Sequence, residues 1–155
     1  MKEPIFKQFL MAAMLVASSS TTQAGLIGYS VSSDDNLYSI DFDSGSTTLI
    51  GDLGFDGDFE ALAFDPISSL LYTASDGGSL YTVDTVTGGA SLVGSLGVDY
   101  TNGGMAFDGN GQGYLVTTAG LFSFDKSSGA ASLIGDPSQG IDFSGGAFVG
   151  SLLYA

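Results

Sequence analysis

One pattern runs through the chain three times. Ala63-Phe64-Asp65 returns as Ala106-Phe107-Asp108 and again as Ala147-Phe148-Val149, at offsets of 43 and 41 residues. The same offsets relate Leu37-Tyr38-Ser39-Ile40-Asp41 to Leu80-Tyr81-Thr82-Val83-Asp84 and to Leu121-Phe122-Ser123-Phe124-Asp125. They also relate Thr48-Leu49-Ile50-Gly51 to Ser91-Leu92-Val93-Gly94 and Ser132-Leu133-Ile134-Gly135, and a tyrosine series follows at Tyr29, Tyr72, Tyr114 and Tyr154. Markers that keep one order over a period of 40 to 50 residues, built from short strand-like runs, indicate propeller blades rather than helical repeats.

Each unit holds four runs rich in Val, Ile, Leu, Tyr, Phe and Thr, separated by Gly, Asp, Ser and Asn, which is the pattern of a four-stranded antiparallel meander. In the second complete unit the runs are Gly104 to Asp108, Gly113 to Thr118, Leu121 to Asp125 and Ala131 to Gly135. The run richest in small residues is assigned innermost, near 61–65, 104–108 and 145–149, because bulky side chains would collide where blades converge. The turns Asp41-Phe42-Asp43-Ser44-Gly45, Asp84-Thr85-Val86-Thr87-Gly88 and Asp125-Lys126-Ser127-Ser128-Gly129 share the form D-x-x-[ST]-G. There Asp can accept turn amides and Gly can take a positive φ.

The order of runs gives strands two to four of one blade, two complete blades, and strands one and two of another. That is about three blades of an all-β, β-propeller-like array, an incomplete ring by comparison with the usual four to eight. Strand exchange at the two ends, self-association through open blade edges, and a fragment of a longer propeller protein are the readings open at this point.

Residues 1–24 carry Lys2 and Lys7, an apolar run from Phe9 to Ala17, a polar stretch and a terminal Ala24, the three-part form of a secretory signal. Cleavage is expected before Gly25, leaving residues 25–155 as one repeat domain that is secreted or periplasmic. The apolar run is too short to span a bilayer, so no membrane span is expected in the mature domain. Export permits disulfides, but the chain has no cysteine.

Net charge is −14, and loss of residues 1–24 leaves Lys126 as the single base against 15 aspartates and Glu60. Nucleic acid and anionic membranes are poor partners for such a surface. His, Cys, Trp and Arg are absent, which removes histidine bases, thiolate nucleophiles and guanidinium clamps, and no G-x-S-x-G, dinucleotide or P-loop motif occurs. Chemistry is left to carboxylate pairs or a metal-activated water.

Loops entering the innermost strands gather carboxylates on one face: Asp56, Asp58 and Glu60 in the first, Asp99 in the second and Asp142 in the third, joined by Asp34, Asp35 and Asp76 from other turns. Glu60 breaks the repeat, since its counterparts are Gly103 and Ser144. Two readings stand: a Ca²⁺ site from Asp56, Asp58, Glu60 and Asp99, because hard oxygen ligands suit that ion, or a solvated acidic loop. The segment Asp108-Gly109-Asn110-Gly111-Gln112-Gly113 resembles the start of a calcium-binding EF-hand loop but has Ala119 where a bidentate Glu belongs, and is read as a turn. Tyr38, Tyr72, Tyr81 and Tyr114 are expected to pack between blades. The partner expected is a protein or carbohydrate ligand, and Tyr100, beside Asp99 and without an aromatic counterpart at Ile141, is the residue expected to contact it if it is a carbohydrate.

On Gly104-Met105-Ala106-Phe107-Asp108, Gly113-Tyr114 and the L-Y-x-[IV]-D sets at Leu37 and Leu80, residues 26–155 resemble secreted bacterial β-propeller repeat proteins with NHL-like or YVTN-like blades, of the kind often found with PEP-CTERM sorting tails. No C-terminal Pro-Glu-Pro motif, apolar helix or basic tail accompanies them. The resemblance implies a fold and not an activity. The expected function is an exported acidic module with a noncatalytic binding or interaction role, assisted by Ca²⁺ if the acidic loops hold it. The alternatives are a Ca²⁺-dependent hydrolase or lyase, or a nonfunctional fragment.

Overall fold

The structure, a computed structural model, describes residues 25–55, 57–100, 103–136 and 145–154. The expected secretory segment and Asp142 lie outside these residues. Among those described there are thirteen strands and no helix, arranged as consecutive antiparallel meanders. The first sheet has three strands, β1 (Ile27–Val31), β2 (Asn36–Asp41) and β3 (Thr47–Asp52). Two complete four-stranded blades follow: β4 (Phe59–Asp65), β5 (Leu70–Ser75), β6 (Ser79–Val83) and β7 (Ala90–Ser95), then β8 (Gly103–Phe107), β9 (Gly113–Thr117), β10 (Gly120–Phe124) and β11 (Ala131–Gly135). A pair, β12 (Ala147–Val149) and β13 (Leu152–Tyr154), comes last.

This is the expected partial β-propeller, and among the described residues its sheets do not close into a ring. The small-residue strands lie innermost: β4 and β8 are almost wholly buried, and β8 packs against both β4 and β12. The outermost strands β3, β7 and β11 are largely exposed. Each innermost strand pairs in the same register with the next, as Ala63↔Tyr72, Ala106↔Tyr114 and Ala147↔Tyr154. The tyrosines then reach the following blade. Tyr72 meets Phe107 with ring centroids 5.1 Å apart, and Tyr114 meets Phe148 at 5.3 Å. Both separations fall in the range where aromatic pairs attract beyond their buried area.

Two repeat markers form the joint between blades. The T-L-I-G run carries a β-bulge in every outermost strand, where Leu37, Leu80 and Leu121 pair with Gly51, Gly94 and Gly135 while the next residue skips one position. The skipped residues are Ile50, Val93 and Ile134. Ile50 and Val93 pack against core side chains. The glycine after the bulge receives the D-x-x-[ST]-G turn of the next blade: a Cβ on Gly51 would strike the carbonyl of Thr87, and one on Gly94 the carbonyl of Ser128. Gly88 and Gly129, at φ of 86° and 83°, bring those turns close enough to touch. Backbone hydrogen bonds complete each joint, Ala90 N to Leu53 O at 2.8 Å and Ala131 N to Leu96 O at 2.9 Å.

Within each turn the Asp side chain is the organiser. Asp41 Oδ1 accepts from the amides of Asp43 and Ser44, Asp84 Oδ1 from Val86 and Thr87, and Asp125 Oδ1 from Ser127 and Ser128. These bonds favour the ionised form and hold all three carboxyls below their ordinary range. Asp125, which also accepts from the Ser127 and Ser128 hydroxyls, falls to about 2, with the Ser127 hydroxyl the largest cause.

Candidate functional site

The loop leading into β4 is the centre of the acidic face. It is fastened on two sides: Gly57 N donates to Asp35 Oδ2 at 3.3 Å, and Asp76 N donates to the Asp58 carbonyl at 2.7 Å. The β1–β2 turn, the β5–β6 turn and this loop therefore share one end of the array, as the strand order requires. Phe55 and Phe59 anchor the loop against Tyr81, at centroid separations of 4.7 and 5.9 Å. This aromatic cluster was not legible in the repeat, since neither phenylalanine belongs to a repeated marker.

Asp58 and Asp99 are exposed and Glu60 is half-buried. Asp56 lies outside the described residues. Glu60 occupies a β-bulge, because Phe59 pairs with Ser75 and Ala61 with Ala74, leaving Glu60 as the extra residue at the start of the innermost strand. Bulges at strand ends re-aim side chains. The corresponding stretch of β8 is regular, with Gly103 opposite Thr117 and Gly104 opposite Val116. Among the described residues no group of three carboxylates comes together in a way that could hold a metal ion. The Asp108 segment is a turn: its carboxylate accepts from the amides of Asn110 and Gln112, both at 2.9 Å.

Tyr100 occupies a different place from that expected of a ligand-contacting loop residue. It is fully buried in the core between the two complete blades, with Ala61, Ala74, Leu96 and Met105 in the same cluster. Its ring lies where a Gly103 side chain would be, since a Cβ there would sit 2.9 Å from the Tyr100 Cζ. Among the described residues the hydroxyl has no hydrogen-bond partner, and burial, reinforced by the charge of Glu60, drives its ionisation far above the ordinary tyrosine range. The signal in the sequence was the replacement of Glu60 by Gly103 in the next blade, which vacates the space the tyrosine fills. Chemically, the face offers negative potential over a neutral phenol, an arrangement that attracts cations and repels anions.

At the opposite end of the blades Lys126 Nζ donates to Asp65 Oδ2 at 2.6 Å, and the same carboxylate group accepts from the Ser68 hydroxyl and the Ile67 amide. The single basic residue of positions 25–155 thus joins the second and third sheets.

Comparison with known proteins bears on the fold. No family profile matches the chain, and no curated protein matches it. Solved structures do. A structural-genomics protein of unknown function from Bacteroides thetaiotaomicron aligns over 74% of this chain and 31% of its own, with 15% identity and a TM-score of 0.58. The computationally designed Ika4 protein aligns over 92% of this chain and 83% of its own, at 18% identity and a TM-score of 0.55. The protein XC5397 from Xanthomonas campestris, a gluconolactonase, aligns over 84% of this chain and 40% of its own, at 20% identity and a TM-score of 0.52. The chain thus spans about a third of the Bacteroides protein. The fold is β-propeller-like, and its structural neighbours include a gluconolactonase of that architecture.

Proposed function

We propose that this protein is an exported, noncatalytic interaction module whose working surface is the outer side of β11 together with β12 and β13. The observation that carries the reading is the exposure of Ile134, 54%, where its counterparts Ile50 and Val93 are packed into core. Val149, Leu152 and Tyr154 are exposed in the sheet that follows, whereas Leu133 is exposed as its counterparts Leu49 and Leu92 are. Apolar side chains left open where the repeat elsewhere packs them mark a place where another surface docks. The acidic residues, by contrast, have structural tasks: Asp41, Asp84, Asp108 and Asp125 hold turns, and Asp65 holds Lys126. Export rests on the three-part form of residues 1–24.

Binding of Nile red, a neutral apolar dye, tests the surface. Ile134→Ser is expected to reduce dye binding while leaving the far-UV circular dichroism unchanged; equal binding by the variant would remove this surface from the reading. Turnover of chromogenic esters, lactones or glycosides in the presence of Ca²⁺ would overturn the noncatalytic role in favour of a Ca²⁺-dependent hydrolase or lyase. Calcium assistance belongs to the proposal through Asp56, Asp58, Glu60 and Asp99. A thermal melt that rises in about millimolar Ca²⁺, and no longer does so in Asp58→Asn with Glu60→Gln, would establish it, and an unmoved melt would strike it out.

A further inference from the structure

The strands β3, β7 and β11 each lie at the end of their sheet, with one side open to a further strand. Each shows the exposed leucine of the T-L-I-G marker beside its bulge, Leu49, Leu92 and Leu133. Edges of this kind recruit other strands unless charged residues flank them. The repeat supplies such charges at two of the three. Asp43 precedes β3 and Asp52 ends it, and Asp136 follows β11, all of them exposed. At β7 the counterpart of Asp43 is Val86, and the counterpart of both Asp52 and Asp136 is Ser95. No charged residue occurs from Thr85 to Val98, in a chain of net charge −14. Val86 is 83% exposed and Leu92 65% exposed, so the neutral edge is also an apolar one.

The blade that carries this edge has a described sheet on either side, joined through Ala90 N to Leu53 O and Ala131 N to Leu96 O. The first of these bonds fixes the direction of the backbone. Ala90 turns its amide away from β6 to reach the preceding sheet. Backbone groups alternate sides along a strand, so the amide and carbonyl of Leu92 also point away from β6, one residue before the bulge at Val93 bends the strand.

We infer that β7 pairs with β7 of a second copy of this chain, antiparallel about a two-fold axis at Leu92. The two leucines then form a hydrogen-bonded pair, each amide donating to the other's carbonyl, with their side chains together on one face of the joined sheets. Charge selects the occupant. A cationic partner would gain from carboxylates at positions 86 and 95, whereas a second acidic copy approaches best where they are missing. A strand paired with itself uses up its open side, so association stops at two copies. The bulge keeps the contact short, and the acidic surfaces around it repel, so the dimer should strengthen as salt screens them. This surface is separate from that of β11, β12 and β13 and goes beyond the reading built on it.

Sedimentation velocity over a dilution series, in low and high salt, tests the proposal. The native protein should pass reversibly from monomer to dimer, with more dimer in high salt. Val86→Asp with Ser95→Asp restores the charges that Asp43 and Asp52 place beside β3, and should be monomeric throughout with unchanged circular dichroism. Should that variant fail to fold, Leu92→Lys, at an exposed position, carries the same expectation. Hydrogen exchange gives the location: amides around Leu92 should exchange more slowly in concentrated than in dilute native protein, and those around Leu49 and Leu133 should not. A native protein that stays monomeric, oligomers larger than two, a dimer unmoved by the variants, or protection at β3 or β11 instead would each overturn the pairing. Ile134→Ser should leave the dimer intact. A native monomer in which Ile134→Ser still lowers Nile red binding would remove the β7 contact and leave the other surface standing.

Discussion

Lys126 and Asp65 are 61 positions apart in the sequence and in contact in the fold, the ammonium of one turn reaching across the joint to a carboxylate buried at the end of β4. Burial pushes the Asp65 carboxyl up, but the Lys126 ammonium, the Ser68 hydroxyl and the Ile67 amide outweigh it and hold the group below its ordinary value. Lys126 Nζ lies over the Phe107 ring of its own blade, 5.9 Å from the centroid, so the ammonium at the bridge also faces an aromatic.

Lys126→Met should therefore destabilise the protein by about 2–3 kcal/mol, because it leaves a buried carboxylate with only neutral partners. That is below the cost of breaking a wholly buried pair, since the Lys126 side chain is 32% exposed. Asp65→Asn in the Lys126→Met background should recover part of the loss. Urea unfolding of the two variants measures both, and a loss under about 0.5 kcal/mol would show the bridge to be ornamental.

Acid should unfold the protein through its turns. Asp41, Asp65, Asp84 and Asp125 all have carboxyl pKa values lowered by folding, so their contribution is complete above the unfolded value near 4 and is lost as pH falls toward the folded values, about 2 for Asp125. Melting temperature should fall steadily between pH 4 and pH 2. Asp125→Asn should shallow that slope, since an amide accepts the turn hydrogen bonds at any pH. A slope identical to the native protein's would mean that Asp125 does not titrate in the transition.

Gly94→Ala should cost about 1–3 kcal/mol, because the new methyl meets the Ser128 backbone, which has no rotamer with which to yield. At the equivalent Gly135, where among the described residues nothing lies within 4 Å of a Cβ, the same substitution should change stability by no more than about 0.5 kcal/mol. Denaturant midpoints of the pair read the contrast directly.

Tyr100→Phe removes a hydroxyl that is buried and, among the described residues, without a partner, and should stabilise the protein by about 1 kcal/mol. A destabilised variant would mean that a partner satisfies the hydroxyl in the folded protein.

The blades were legible because their signals are local: alternation, turn residues and period all lie within a few positions of one another. The order of strands and the innermost placement of Ala61, Ala63 and Ala106 followed from them. Contacts between blades were harder, since T-L-I-G and D-x-x-[ST]-G are each explained inside a single sheet, and nothing in either says that Gly51 meets Thr87. The burial of Tyr100 was not legible for a related reason. It follows Asp99 in a stretch that reads as an entering loop, whereas the missing side chain of Gly103 opens the core to its ring. Glu60 stood out by breaking the repeat, but the bulge that sets its direction depends on pairing with Ser75 and Ala74, which no local pattern records.

The joint between sheets has a wider consequence. It is made by main-chain atoms, a glycine on one side and a carbonyl on the other, so the fit does not depend on which side chains surround it. A unit that keeps those few positions can couple to any neighbour that keeps them, whatever else has drifted. Such a coupling lets an array lengthen or shorten by whole units through duplication and loss, while the solvent-facing side chains of the outer strands diversify without disturbing their neighbours.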